Sequence, residues 1–201
     1  MRREPQAPFP LSGVLLVAGR SSRMGRDKAL LTLKGRRIWR RQRDVLRIAG
    51  AEDLLLSARP DQAWARRAGV CDLVVTDSAP GLGPLAGIVA ALEHAAHDHL
   101  MVLAIDLPRL PVPWFRKLIA DCGPGTGAVG IRAGRFEPLA AIYPRRLLLL
   151  ARAALARGDL ALQPLVNEAV NAGLLHARPI TAAETLWFEN WNTPAEIKGA
   201  R

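Results

Sequence analysis

Cysteine is scarce in this sequence, and long apolar runs are absent. Cys71 and Cys122 have neither a CxxC spacing nor a neighbouring histidine pattern, so they argue against a zinc site and predict two free, buried thiols. No apolar run approaches the roughly 20 residues that span a bilayer, and residues 1–10 are basic, proline-rich and unlike a signal peptide. We therefore expect a flexible tail over residues 1–10 and one domain over residues 11–201. A cytoplasmic location with no membrane partner is expected.

Acidic residues are few relative to basic ones. The chain has 28 lysines and arginines against 18 aspartates and glutamates, and residues 1–60 hold 14 of those 28 together with five acids. The positive charge is the one feature that favours nucleic-acid binding. Aromatic residues make up 5% of the chain, and no recognition-helix, RNA-binding or zinc motif is present. We expect no nucleic-acid partner. Much of the excess is expected to be solvated arginine, whereas Arg20 to Lys28 should form a positive funnel for a polyanionic substrate.

The apolar residues, half of the chain, fall in short continuous runs separated by longer amphipathic stretches. Such runs are typical of parallel strands buried on both faces. The alternation predicts an α/β fold with a doubly wound sheet. Strands are predicted at residues 13–17, 53–57, 72–76, 100–105, 128–131, 136–143, 174–177 and 186–188, with a hairpin-like turn at Gly134. Helices are predicted at residues 36–49, 60–68, 84–96, 113–122, 144–157 and 162–172, followed by a terminal helix that Thr193 caps.

The first predicted strand ends in small residues that are followed at once by basic ones. The chain there reads Leu16-Val17-Ala18-Gly19-Arg20-Ser21-Ser22-Arg23-Met24-Gly25-Arg26-Asp27-Lys28. Small residues let a backbone approach phosphate oxygens, while Arg23 can fork onto two of them and Lys28 can act as a point charge. Because Lys28 is followed by Ala29, and only Gly19 and Gly25 are present, the pattern is neither a P-loop nor a dinucleotide fingerprint. We infer a polyphosphate site at this strand end.

Two aspartates directly follow other predicted strands. Asp77 and Asp106 come after the third and fourth apolar runs. Because the carboxyl ends of parallel strands meet at one edge of a sheet, both should lie near Lys28. A simpler interpretation is that each aspartate starts a turn or caps a helix. Mg²⁺ prefers one or two carboxylates together with phosphate oxygens and water, so a carboxylate beside a polyphosphate site suits that ion.

Five stretches together resemble a known enzyme family. Residues 15–31 resemble the signature of nucleotidyltransferases with a Rossmann-like fold. The other four, in the family's order, are Asp77 with residues 83–87, residues 106–111, residues 137–143 and residues 188–194. Within that superfamily the chain is most similar to the molybdenum cofactor guanylyltransferases, and the resemblance extends from about residue 13 to residue 197.

The resemblance implies a three-layer α/β/α fold with a mostly parallel sheet and a Mg²⁺-dependent transfer of GMP from GTP to molybdopterin, with pyrophosphate released. It also implies, as partners, proteins that deliver molybdopterin and the molybdoenzymes that receive the product. By resemblance, Arg23, Lys28 and Asp106 are catalytic, and Asp106 holds the metal ion. The acceptor side is assigned to Glu137, Asn190 and Asn192. The nucleotide side comprises Leu16, Val17, Ala18, Gly19, Arg20, Ser21, Lys28, Ser57, Asp77, Gly83, Pro84 and Asp106.

Position 18 departs from the guanylyltransferase pattern. The chain has Ala18 where guanylyltransferases have glycine, and an alanine there resembles the cytidylyltransferase branch, whose substrate is CTP. Asp27-Lys28 and residues 190–194 favour GTP. Nucleotidyltransferases that act on sugar phosphates or isoprenoid precursors share the first motif and are a further alternative. A protein of molybdoenzyme maturation that binds nucleotide without turnover is another.

Overall fold

A computed structural model describes residues 7–19, 27–67, 69–76 and 82–191 of the chain. No helix in these ranges is long and apolar enough to cross a membrane. The helices are α1 (Ile38–Ala49), α2 (Gly83–His94), α3 (Val112–Asp121), α4 (Leu147–Arg157) and α5 (Leu162–Asn171). The strands are β1 (Leu11–Leu16), β2 (Thr32–Leu33), β3 (Arg36–Arg37), β4 (Ala51–Ser57), β5 (Leu73–Val75), β6 (His99–Ala104), β7 (Gly127–Arg132), β8 (Arg135–Phe136), β9 (Ala140–Pro144) and β10 (Leu175–Pro179).

An eight-stranded sheet forms the middle layer, with strand order β10-β7-β9-β6-β1-β4-β5 and β8 paired to β7. The strands β6, β1, β4 and β5 are mutually parallel. Antiparallel β9 joins β6 to β7, and β10 runs parallel to β7. The predicted α/β class with a mostly parallel sheet is confirmed, and antiparallel β9 is what brings the second half of the chain onto it.

Helices cover both faces of the sheet. On one face, α1 and α3 pack against alternate residues of β1 and β6 such as Leu15 and Met101. On the other, α2, α4 and α5 pack against the intervening residues, among them Val14 and Val102. Because both faces are covered, these strands are apolar at nearly every position, as their continuous runs indicated. Phe9 precedes the sheet, and its ring lies 4.3 Å from the imidazole of His99.

Five of the predicted elements are wrong in type or extent, and residues 136–143, predicted as one strand, form parts of two, β8 and β9. In place of the helix predicted at residues 60–68, the structure has a 3₁₀ turn at Ala63–Arg66, and residues 186–188 belong to a 3₁₀ helix, Ala182–Phe188, rather than a strand. A capping box between Thr181 and Glu184 starts that helix, because each residue's side chain binds the other's backbone. Pro144 ends β9 instead of starting α4.

The start of α1 was also misplaced, because Arg36 pairs with Leu33 in a small hairpin. Lys34 and Gly35 both have positive φ, 49° and 75°, which is the backbone that a two-residue hairpin turn requires. The same geometry recurs at Ala133 and Gly134, with φ of 48° and 74°, and there it confirms the predicted turn between β7 and β8.

Candidate active site

Strand register brings several loops to one edge of the sheet. Leu16, the last residue of β1, lies opposite Ser57 of β4 and Ala104 of β6, and Ser57 lies opposite Val75 of β5. The first residue of antiparallel β9, Ala140, pairs with Leu103. The segments that follow β1, β4, β5 and β6, and the segment that precedes β9, therefore meet at this carboxyl edge, where open α/β sheets bind their ligands.

Asp106 lies at the centre of this edge, directly after β6. Its atom Oδ1 is buried and has no hydrogen-bond partner among the described residues. Burial raises the pKa of the Asp106 carboxyl, while the positive charge of Lys28 acts in the opposite direction. Because Oδ1 is shielded from water and accepts no hydrogen bond from a described residue, a cation or a proton would suit it as a partner.

Helix α1 holds the loop that follows Asp106. Gln42 is fully buried, and its Nε2 donates to the carbonyl oxygen of Leu107 at 2.5 Å. Arg41 Nε donates to the carbonyl oxygen of Pro108 at 2.9 Å. Two side chains from one helix thus fix the backbone just beyond the carboxylate, so the position of Asp106 depends on packing rather than on the turn alone.

Glu137 is a second carboxylate at the same edge, and it interacts with Asp106. Burial raises the pKa of the Glu137 carboxyl, the positive charges of Arg132 and Arg135 lower it, and the negative charge of Asp106 raises it further. Arg132 Nη2 lies 3.6 Å from Glu137 Oε1. The backbone N–H of Glu137 donates to Gly130 at 2.9 Å, which ties the start of β9 to β7.

Lys28 is the first residue of a short 3₁₀ helix that Asp27 anchors. The Asp27 carboxylate accepts three hydrogen bonds, from the backbone N–H of Ala29 at 3.0 Å, from Gln62 Nε2 at 2.8 Å and from Trp64 Nε1 at 2.7 Å. The aspartate of the Asp27-Lys28 pair therefore holds the turn that carries the lysine. Two of the three donors to Asp27, Gln62 and Trp64, come from the segment after β4.

The same segment holds the end of β1. Arg59 Nη1 donates to the carbonyl oxygens of Ala18 and Gly19 at 2.9 and 3.0 Å, and Gln62 Nε2 donates to that of Val17 at 3.1 Å. Sequence reasoning missed Arg59, Gln62 and Trp64. Their partners lie 35 to 45 residues away in the chain, and no local pattern signals such pairings.

The remaining nucleotide-side residues differ in exposure. Leu16, Val17 and Ser57 are buried, with exposed fractions of 7%, 1% and 1%, so their side chains pack inside the protein. A Cβ at Gly87 would lie 2.5 Å from Ser57 Oγ, which explains the glycine by the close approach of α2 to β4. Gly83 and Pro84 begin α2 and are exposed. Arg20, Ser21, Arg23, Asp77, Asn192 and Thr193 lie outside the described residues.

The segment before the C-terminus reaches the site at Asp106. The backbone N–H of Trp191 donates to the carbonyl oxygen of Asp106 at 3.0 Å. Arg109 forms an ion pair with Glu189 at 2.7 Å, and its guanidinium lies 5.4 Å from the Trp191 ring centroid. Asn190, which is exposed, stands between these two anchored residues. One amide predicted for the acceptor side is thus close to the Asp106 loop.

Comparison with known proteins agrees with this arrangement. Residues 13–174 match the family described as the MobA-like NTP transferase domain. The chain belongs to this family. It is a nucleotidyltransferase. Its two half-buried cysteines are free, as predicted.

Three relatives illustrate the match. The chain is 41% identical over 191 residues to "Probable molybdenum cofactor guanylyltransferase" of Opitutus terrae, covering 92% of each chain. It is 34% identical to the molybdenum cofactor guanylyltransferase of Xanthomonas euvesicatoria, covering 93% of this chain and 92% of that one. The solved structure of molybdopterin-guanine dinucleotide biosynthesis protein A from Archaeoglobus fulgidus superposes with a TM-score of 0.73 at 21% identity, covering 94% and 96% of the two chains. That structure supports the fold.

The Asp27 anchor makes a prediction for Trp64. Replacing Trp64 with phenylalanine keeps an aromatic ring but removes one of the three donors to Asp27. We expect a loss of about 1–2 kcal/mol in the free energy of unfolding and roughly tenfold lower kcat/KM, because Lys28 is held less accurately. Chemical denaturation and steady-state kinetics measure the two effects. Trp39→Phe is the control, since Trp39 stacks on Trp64 at 5.9 Å. Equal loss of kcat/KM in both variants would contradict the anchor.

Proposed function

We propose that this nucleotidyltransferase transfers GMP from GTP to the phosphate of molybdopterin and releases pyrophosphate. Both relatives described above carry the name molybdenum cofactor guanylyltransferase and match over nine-tenths of their length. The observation that carries the proposal is Asp106, whose buried Oδ1 has no hydrogen-bond partner among the described residues and is influenced by the charge of Lys28. This pair suits a reaction in which negative phosphates must be gathered and held.

The reaction needs no general base from the protein. The second pKa of a phosphomonoester is ~6, so the acceptor phosphate is already largely ionised at neutral pH. An oxygen of this phosphate forms a bond to the α-phosphorus of GTP. The bond from that phosphorus to the bridging oxygen of the β-phosphate breaks, and pyrophosphate leaves with the electron pair. Positioning and neutralisation of charge are what remains for the protein to supply.

The residues of the carboxyl edge divide that work. Lys28 places a positive charge against the phosphates, held there by Asp27. Arg59 and Gln62 hold the backbone of residues 17–19 in position for the nucleotide. By resemblance, Arg23 adds a forked contact to the phosphates, and Arg20, Ser21, Asp77, Gly83 and Pro84 complete the nucleotide side. Glu137, Asn190 and Asn192 are proposed for the acceptor side.

Mg²⁺ is the metal ion that we propose for Asp106. Its preference for carboxylate oxygen combined with phosphate oxygens fits an aspartate whose Oδ1 is buried and lacks a donor among the described residues. When bound, the ion neutralises charge on the phosphates of the nucleotide. Asp106 would hold it, and the loop fixed by Gln42 and Arg41 would keep the carboxylate in place.

CTP is the second candidate nucleotide because of Ala18. This residue is half-buried at the end of β1, with its carbonyl oxygen held by Arg59. A methyl group there, where guanylyltransferases have glycine, narrows the space at the strand end. We therefore assign the choice between GTP and CTP to the methyl group of Ala18.

Thermal stabilisation by single nucleotides tests the proposal. GTP, CTP, ATP and UTP are each added with Mg²⁺, and the melting midpoint is recorded. A ligand at ~100 times its Kd adds about 2.7 kcal/mol, which for a domain of this size is roughly 5–10 °C. We expect that shift with GTP alone, and an Ala18→Gly variant should retain it. A shift selective for CTP would replace the guanylyl proposal with cytidylyl transfer. If GTP gives the selective shift, incubation of the protein with GTP and molybdopterin should release pyrophosphate.

A further inference from the structure

A cavity lies between the start of α1 and the 3₁₀ turn at Ala63–Arg66. Its volume is about 660 Å³, which lies within the range of roughly 300–1,000 Å³ that small-molecule sites occupy. Trp39, Trp64 and Val70 line it, and so do five arginines: Arg36, Arg37, Arg40, Arg43 and Arg67. We call this cavity the arginine pocket. None of its residues has a role in the proposed reaction except Trp64, which anchors Asp27.

The arginine pocket carries a large excess of positive charge. Asp44 is the carboxylate that pairs with its rim, contacting Arg36 at 2.6 Å and Arg43 at 2.9 Å. Within the described ranges, Arg37, Arg40 and Arg67 form no ion pair with any carboxylate. All three are exposed. Clustered like charges repel one another, so an anion that joins them would be bound favourably.

The floor of the arginine pocket is aromatic. The indole rings of Trp39 and Trp64 stack with centroids 5.9 Å apart and an interplanar angle of 29°. The guanidinium groups of Arg40 and Arg43 each lie 5.3 Å from the Trp39 ring centroid. Arginine held against a ring keeps its N–H edge available for a forked contact to phosphate, and its flat face can stack on another ring.

We propose that the arginine pocket binds an organic phosphate, that is, a small molecule with a flat ring and one or more phosphate groups. The phosphates would meet Arg37, Arg40 and Arg67, whose charges have no carboxylate partner in the described residues. The ring would lie against the guanidinium faces and the apolar floor of Trp64 and Val70. Neither Lys28 nor Asp106 lines the arginine pocket, and the proposal goes beyond the proposed reaction.

Counting bound ligand tests the proposal, with radiolabelled GDP as the probe. Equilibrium dialysis of the full chain is expected to give two GDP molecules per chain, because the probe fits both sites. The variant Arg37→Ala/Arg40→Ala/Arg67→Ala should weaken one of the two sites roughly tenfold or more. The site that it weakens should persist in Lys28→Ala, which separates a failure of this proposal from a failure of the proposed reaction.

The matched control removes three arginines from the opposite face of the sheet, Arg146→Ala/Arg152→Ala/Arg157→Ala, and should keep both sites. Arg40→Ala alone, a milder change, should weaken the same site if the triple variant does not fold. Unchanged stoichiometry and affinity in the rim variants would overturn the proposal. Pyrophosphate binding the arginine pocket as tightly as GDP would overturn the role of the ring. Loss of duplex DNA binding in the rim variants with no loss of GDP would instead identify a nucleic-acid contact.

Discussion

Replacing Asp106 with asparagine should abolish nucleotidyl transfer and raise the thermal midpoint of the protein at neutral pH without divalent cations. The substitution keeps the size of the side chain and removes its charge. Turnover should fall by roughly a hundredfold or more, because charge neutralisation at the phosphates is the main contribution of such a site. The unliganded fold should gain about 1 kcal/mol, because position 106 no longer carries a charge next to a buried Oδ1 that has no hydrogen-bond partner among the described residues.

The pH dependence of this gain follows from the direction of the pKa shift. Burial raises the pKa of Asp106 in the folded protein above the ordinary value of about 3.9 for the unfolded chain. The folded state therefore holds the proton more tightly, and its stability falls as pH rises from the unfolded pKa through the folded one. Below that window aspartic acid and asparagine are both neutral, so the two proteins should melt alike. Above it the variant should melt at the higher temperature.

Melting curves of both proteins between pH 3 and pH 8 measure the effect, with GTP turnover recorded in parallel. Asp159→Asn is the matched control, because Asp159 is 63% exposed and pairs with Arg157 on the surface. It should change neither the midpoint by more than about 1 °C nor the turnover. An Asp106→Asn protein with wild-type turnover would refute the metal role. A lower midpoint at neutral pH would refute the electrostatic argument.

Replacing Lys28 with alanine should reduce kcat/KM by roughly a hundredfold to a thousandfold while the protein stays folded. The lysine charge lowers the pKa of Asp106, so its removal should raise that pKa further. Asp106 must be ionised to hold a cation. As the pH is lowered, the residual activity of Lys28→Ala should therefore begin to fall at a higher pH than the activity of the wild type does. Pyrophosphate release recorded across the pH range measures both kcat/KM and the pH at which activity falls in acid.

Two further variants separate charge from position at Lys28. Lys28→Arg keeps the positive charge. Its activity should fall in acid at the same pH as that of the wild type, and it should regain part of the lost kcat/KM. Lys34→Asn removes a lysine from the exposed hairpin turn, where asparagine tolerates the positive φ of 49°. Its kcat/KM should equal that of the wild type. If Lys34→Asn lost as much activity as Lys28→Ala, the basic excess as a whole would be responsible rather than this one charge.

The position of the candidate site in the fold could be predicted from the sequence because its residues occur in short, contiguous stretches. An apolar run that ends in small and basic residues places Lys28 after β1, and an apolar run that ends in aspartate places Asp106 after β6. Parallel pairing then puts both strand ends at one edge. The state of Asp106 could not be predicted, since its burial depends on α1 and on the Trp191 segment that passes its carbonyl group.

The elements that were wrong share a physical cause. Residues 60–68 have a helical composition, yet Gln62 and Trp64 are held by Asp27 and Val17 from across the sheet edge. Residues 186–188 are apolar enough for a strand, but the capping box of Thr181 and Glu184 turns the chain into a 3₁₀ helix just before them. In both places long-range or capping hydrogen bonds, rather than local propensity, determine the backbone conformation.

Sequence by itself determined the fold class and the types of residue that follow β1 and β6 at the carboxyl edge. These follow from apolar periodicity and from residues adjacent in the chain. Only the tertiary structure decided which groups hold the end of β1, which carboxylate oxygen has no partner among the described residues, and where five arginines form a cavity over two stacked indoles. Such properties arise from contacts between distant segments and from the exclusion of water, and neither exists before the chain is packed.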